Sequence, residues 1–361
     1  MATRSEILAK ASAFRALFEA RGAMVVEPPI LQPAETLLDL YGEDIRARAY
    51  VTSDALRGEQ LLRPDYTVPV VQMHMTHGAK PARYTYSGEV FRRQEKDPTR
   101  ANEYIQVGYE VFDDVDPAAA DAEVFALISQ GLNGLPVTAV TGDIGILMAA
   151  VKGLDTTVPR KSALMRHIWR PRRFRALLDR YSGKTPVPAT RTALLAGDGK
   201  IDAPLIGLRS AVEIEARIQS LREDAACAPL GAGQVALIQA LLDIRETMRN
   251  AISQLRDIAV DLPAISDAVD RLALREKALT ERGVDTENLM FEASFGRVSM
   301  EYYDGFVFGF RADARPEWPM LASGGRYDAL TRRLGPGAEI PAVGGVMRPG
   351  LILELEGAND H

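Results

Sequence analysis

Five short stretches carry side chains whose types and spacing could do chemistry. In "YIQVGYEV", residues 104–111, Ile105, Val107, Tyr109 and Val111 share one strand face, and Gln106, Gly108 and Glu110 share the other. A glycine between an amide and a carboxylate leaves room for a ligand against the backbone, and the carboxylate would suit a cationic group. An antiparallel sheet with one wet face gives the same alternation. "RPDYTVPV", residues 63–70, sets Asp65 and Thr67 two apart, on one face of an extended segment or as caps of a turn. "FRRQ", residues 91–94, places Arg92 at a strand end, where a guanidinium clamps a phosphate or carboxylate or is simply solvated. "ASGGRYDAL", residues 322–330, has paired glycines before Arg326 and Tyr327, which permit a turn and close backbone approach. No lysine follows at phosphate-loop spacing. "RVSMEYYDGFVF", residues 297–308, reads as a strand in which Glu301, Tyr303 and Asp304 could line a ligand site.

These residues need elements to hold them. Ile7, Phe14, Leu17 and Phe18 recur on one face of 5–21, which predicts an amphipathic helix stopped at Gly22. "AMVVEPPILQP" predicts a short strand closed by prolines. Between about 82 and 112, "ARYTYSGEVFRR" and "NEYIQVGYEVF" flank a charged loop, an antiparallel hairpin. Helical periodicity follows from Pro117. From about 160 to 284 the pattern is mostly helical, with Val235, Ile238, Leu241, Leu242, Met248, Ile252 and Leu255 in a buried stripe. Strand patterns return at 289–297, 298–310 and 340–347. The simplest architecture is α+β, an antiparallel sheet flanked by helices and split by a mainly helical insertion, with segments 1–159, 160–284 and 285–361.

Composition narrows the function classes. At 361 residues the chain can bury a sizeable core, and 47% hydrophobic with 25% charged residues is ordinary for a soluble protein. No apolar run approaches a membrane span, and the charged N-terminus has no signal core. The single cysteine, Cys227, excludes an intramolecular disulfide framework and fits a reducing, cytoplasmic compartment. His74 and His77 lack the companions of a zinc site, so no metal is expected. With 43 basic against 49 acidic residues there is no general nucleic-acid footprint. One stretch departs from that balance. "RKSALMRHIWRPRRFRALLDR", residues 160–180, sets eight basic residues against Asp179 alone. It is either a solvated helix face or, with Trp169 and Phe174, a docking face for an acidic partner or for RNA phosphate.

In this order, "EPPILQP", "RPDYTVPV", "YSGEVFRRQ…NEYIQVGYEVF", "EYYDGFVF" and "GGRYDAL…IPAVGG" resemble the catalytic core of histidyl-tRNA synthetase, over about 1–155 and 285–357. The resemblance implies a class II synthetase sheet, a homodimer and a histidine pocket. Asp65 (where the family prefers glutamate), Thr67, Gln106, Glu110, Tyr303 and Tyr327 fall on histidine-binding positions. Arg92 falls on the arginine used against the substrate carboxylate and ATP phosphates.

The departures bear on function. Where the synthetase has Arg-Gly-Leu-Asp before its tyrosine pair, this chain has "VSME", with Val298 at the arginine position and Arg297 one residue away. A one-residue slip in a strand points to the opposite face. Where the synthetase has Gly-Leu-Glu-Arg, this chain reads "RPGL", with Leu351 at the arginine. The sequence ends at His361, so the anticodon-binding domain that follows in the synthetase is expected to be absent. A core with the amino-acid pocket kept and both adenylation arginines lost is similar to the regulatory subunits of ATP phosphoribosyltransferase. That resemblance implies no catalytic residue, no cofactor and no expected tRNA. It also implies L-histidine as ligand and a homodimer within a hetero-oligomer with the short-form catalytic subunit. Two other readings are a degenerate histidine-adenylating enzyme and a tRNA-sensing pseudo-synthetase module, the latter disfavoured by the acidic balance.

Overall fold

A computed structural model describes residues 2–41, 48–94, 100–197, 204, 206–297, 302–335 and 337–359. The first helix, Arg4–Glu19, starts at a capping box between Thr3 and Glu6 and is followed by Gly22 at a φ of +83°, a conformation glycine adopts without strain. Two short strands follow, β1 (Met24–Val25) and β2 (Leu31–Pro33). Strands β3 (Val51–Asp54) and β4 (Gly58–Leu62) pair with β2 in a small antiparallel sheet ordered β2-β4-β3.

The expected hairpin is present as β5 (Ala82–Phe91) and β6 (Glu103–Phe112), in register from Ala82 opposite Phe112 to Phe91 opposite Glu103. The remaining strands are β7 (Val137–Asp143), β8 (Arg245–Thr247), β9 (Met290–Glu292), β10 (Phe306–Ala312), β11 (Ala322–Arg326) and β12 (Ala342–Met347). Among the described residues, these six join β1, β5 and β6 in a nine-stranded sheet ordered β1-β5-β6-β12-β11-β10-β7-β9-β8. The sheet is mixed rather than wholly antiparallel, because β1 joins β5 and β9 joins β7 in parallel. Both parallel junctions involve strands of two or three residues near its ends.

The two faces of β6 meet different surroundings. Tyr109 stacks on Phe18 at 5.2 Å and donates to Glu123 at 2.5 Å, so this face lies under helices Arg4–Glu19 and Pro117–Gly131. The opposite face carries Gln106 and Glu110 toward the helix Thr67–His77.

The stretch 160–284 is mostly helical and also supplies β8 to the sheet edge. Its last helix, Ser266–Glu281, is tied to the core by a buried ion network. Arg275 donates to Asp121 at 2.7 Å and to Asp143 at 2.9 Å, while Arg326 donates to the other oxygen of Asp121 at 2.7 Å. Removing one member of such a network strands a buried charge, at about 3–5 kcal/mol.

Three expectations change. Residues 297–308 do not form one strand: β10 starts at Phe306, residues 302–305 are turn and loop, and Val298 and Glu301 lie outside the described residues. The glycine pair makes no turn. Gly324 and Gly325 sit within β11, where a Cβ would come within 2.3 Å of the Gly344 carbonyl and 2.6 Å of the Phe306 carbonyl. Within the basic stretch, Phe174 is buried, and Trp169 is partly buried, donating from Nε1 to the Tyr303 carbonyl at 3.3 Å. Neither aromatic presents itself as an outer docking surface. Arg160 is buried too, paired to Asp224 at 2.7 Å, whereas Arg172, Arg173 and Arg175 are exposed.

Candidate functional site

A cavity of about 240 Å³ opens on the β6 face away from the two long helices. Of the expected residues, Asp65, Thr67, Arg92, Gln106 and Tyr303 line it. Asp65 and Thr67 are positioned by the start of the helix Thr67–His77, where the Asp65 carboxylate accepts from the Val68 amide at 3.4 Å. Arg92 leaves the end of β5, donates from Nε to the Pro64 carbonyl at 2.6 Å and lies 4.0 Å from Asp65. Gln106 is buried, and its Oε1 accepts no hydrogen bond. A buried amide oxygen without a donor costs free energy that a ligand N–H would recover.

Glu110 and Tyr327 lie behind this lining. Glu110 is 1% exposed, and its Oε1 accepts from the Thr67 hydroxyl at 3.0 Å and the Tyr86 hydroxyl at 2.8 Å. Its Oε2 accepts from the Tyr327 hydroxyl at 2.6 Å. Burial pushes this carboxyl up to about 7, against the lowering effect of the three hydroxyls. Gly108 does not leave room for a ligand: a Cβ there would meet the Tyr86 hydroxyl at 2.2 Å. The open space admits the Tyr86 ring, whose hydroxyl reaches Glu110. Gly344 is needed for a similar reason, since its Cβ would fall 1.4 Å from Glu110 Oε2.

Tyr302 and Tyr303 reach the cavity from the loop before β10, their rings 4.8 Å apart. The loop is fixed by Asp304, whose carboxylate accepts from the Asp328 amide at 3.0 Å and the Ala329 amide at 2.6 Å. Burial, and then repulsion from Asp328, raise Asp304 to about 7. Arg326 is not a site residue but part of the buried ion network.

Sequence reasoning missed Ser323, Gly345, Val346 and, above all, Arg348. Arg348 follows β12 directly, three residues before the leucine that drew attention. Leu351 packs against the hydrophobic core. Arg297 is buried and spent elsewhere: its Nε donates to the Ile168 carbonyl at 2.8 Å and its guanidinium lies 4.8 Å from the Phe174 ring centroid. Burial, with Arg175 nearby, lowers it to about 10.

His74 performs structural work. His74 stacks on Phe112 at 3.9 Å and contacts the Tyr84 hydroxyl at 3.0 Å, and burial lowers it to about 4. Among the described residues there is no group of three or more His, Cys, Asp or Glu that could hold a metal, and no helix long and apolar enough to cross a membrane. A larger hollow of about 860 Å³ lies elsewhere, a groove lined partly by the mutually paired Arg83 and Glu123.

Comparison with known proteins agrees with this geometry. The chain matches the histidyl-tRNA synthetase family over residues 3–229 and 209–349. It is 32% identical to a protein of Brucella anthropi named ATP phosphoribosyltransferase regulatory subunit, across 92% of this chain and 93% of that one. A Brucella canis protein of the same name is 32% identical over the same shares. Among solved structures, an ATP phosphoribosyltransferase regulatory subunit/histidyl-tRNA synthetase from Bacillus halodurans aligns with a TM-score of 0.69 at 21% identity, covering 97% of this chain and 79% of that one. A histidyl-tRNA synthetase from Nostoc aligns at 0.65 with 17% identity, covering 98% and 72%. These last two establish the class II synthetase fold. The relatives that span nearly the whole chain place it in a narrower group, and the protein belongs to the ATP phosphoribosyltransferase regulatory-subunit family, built on the histidyl-tRNA synthetase core.

Proposed function

We propose that this protein acts in the cytoplasm as the regulatory subunit of a short-form ATP phosphoribosyltransferase in histidine biosynthesis, binding L-histidine in the cavity beside Gln106. It does no chemistry itself. It supports the catalytic subunit as a homodimer within a hetero-oligomer and conveys feedback. The observation that carries the reading is the cavity of about 240 Å³, which joins a carboxylate, an unsatisfied amide oxygen and guanidinium groups. Such a volume lies below the roughly 300–1,000 Å³ of sites for drug-sized ligands, and suits one amino acid better than a nucleotide. Asp65 and Gln106 supply acceptors for ammonium and imidazole N–H groups, and the Tyr303 ring supplies a wall. Adenylation needs more, because charge builds at the ATP α-phosphate as the carboxylate attacks and pyrophosphate leaves, and positioned cations supply most of its stabilisation. Arg297 is turned to Ile168, and Leu351 offers no charge.

The proposed route from site to partner runs through Trp169, which donates to the Tyr303 carbonyl and precedes the exposed Arg172 and Arg173 by three and four residues. Histidine that shifts the assembly away from its active conformation binds less tightly to that conformation, since a ligand moves an equilibrium only by its differential affinity. The test is reconstitution with the purified short-form catalytic subunit. Addition of this protein raises phosphoribosyl-ATP turnover, and L-histidine lowers it again. A free homodimer that leaves turnover unchanged overturns the assignment.

A further inference from the structure

Arg348 is the cavity cation that neither the expected site residues nor the known motif positions account for. Its backbone is fixed where β12 hands over to the helix Pro349–Asn359: its amide donates to the Leu321 carbonyl at 2.9 Å, and its carbonyl accepts from Ile352 at 3.1 Å. The side chain lines the cavity, with its guanidinium 5.4 Å from the Tyr104 ring centroid. It is half-buried, and among the described residues no carboxylate stands within ion-pair distance. The charged neighbours that act on it are Arg92 and Arg100, both of its own sign. Burial lowers its pKa first, Tyr104 opposes this, and the two arginines lower it further. A desolvated cation among like charges is unfavourable unless an anion joins it.

We infer that Arg348 is the residue that reads the carboxylate of the bound α-amino acid, with Asp65, which lines the same cavity, taking the ammonium. This rests on the proposed histidine site and adds the requirement that its ligand be a zwitterion. The cavity is then matched in both charges, with the guanidinium of Arg348 as a bidentate donor. A phosphate-bearing nucleotide shares the anionic chemistry but not the volume.

Calorimetry on the full chain decides, using L-histidine and L-histidinol, in which a hydroxymethyl group replaces the carboxylate. The unaltered protein binds L-histidine at least about 30-fold more tightly than L-histidinol, as expected of a charge-assisted pair. In Arg348→Met that ratio falls to about 3-fold or less, through loss of L-histidine affinity with L-histidinol affinity retained. Arg348→Lys restores part of the ratio, since a single ammonium keeps the charge but not the fork. A full ratio in Arg348→Met overturns the inference, and so does equal weakening of both ligands, which would make Arg348 a packing residue. If the unaltered protein binds both ligands but does not prefer L-histidine, only the carboxylate assignment falls. If it binds neither, the histidine site itself falls, and this inference with it.

Discussion

The layer beneath the cavity and the rim above it use the same kinds of side chain in opposite ways. Beneath, Glu110 takes three hydroxyl donors, from Thr67, Tyr86 and Tyr327, and is sealed from the cavity. At the rim, Gln106 Oε1 has no donor and Arg348 has no acid among the described residues. A satisfied buried polar layer holds strands and helices in one arrangement. An unsatisfied one lowers stability until something binds. The contrast separates frame from site more sharply than residue type does, since both layers carry a carboxylate and a tyrosine. Stability should therefore respond to changes below, and binding to changes above.

The largest effect is expected at Gly344. A Cβ there collides with Glu110, which has no exposed route of escape, so Gly344→Ala should lose about 3 kcal/mol or more in chemical denaturation. A pH series comes next. Glu110 is held at about 7, above its value of 4.5 when unfolded, so the folded state binds more protons between those values. Its contribution is fully present below about 4.5 and is lost as pH rises through about 7. Between pH 5 and pH 8 the unaltered protein should lose on the order of 2 kcal/mol relative to Glu110→Gln. An identical pH slope in the two proteins would show that Glu110 is already ionised when folded.

Tyr327→Phe should cost roughly 1–2 kcal/mol by removing one of the three donors. Histidine affinity should change less than stability in that variant. The smallest stability effect is expected at the rim. Gln106→Leu removes an unsatisfied oxygen, so stability should stay within about 0.5 kcal/mol or rise, while L-histidine affinity measured by calorimetry falls about tenfold. A large stability loss in Gln106→Leu with affinity kept would reverse the roles of the two layers.

Much of this arrangement was legible in the amino-acid sequence, and the misses have physical causes. Period-two alternation correctly separated Gln106 and Glu110 from Tyr109, because both faces of β6 are buried in different environments. It could not tell that Glu110 would be covered, since the Tyr86 and Tyr327 hydroxyls come from β5 and from beyond β11. Strand propensity overran at Tyr302 and Tyr303, whose bulk is buried in a loop that Asp304 caps and Trp169 braces. The glycine pair was read as local turn chemistry, yet Gly324 and Gly325 serve the close approach of neighbouring strands. Phe174 looked like an exposed anchor because its neighbours are cationic, although helical spacing with Leu178 and Tyr181 turns it inward. Arg348 carries no sequence signal of its own, since a lone arginine after a strand, three residues before Leu351, has the pattern of a solvated strand end.

The central claim is that the cavity binds an amino acid and activates nothing. Histidine-dependent ATP–pyrophosphate exchange, measured on purified protein free of contaminating synthetase, tests it most directly. The account predicts exchange no higher than in a blank without protein, at L-histidine concentrations that saturate the site. Robust exchange would mean that cations of this chain stabilise adenylyl transfer after all, and would contradict the account by making this chain an adenylating enzyme.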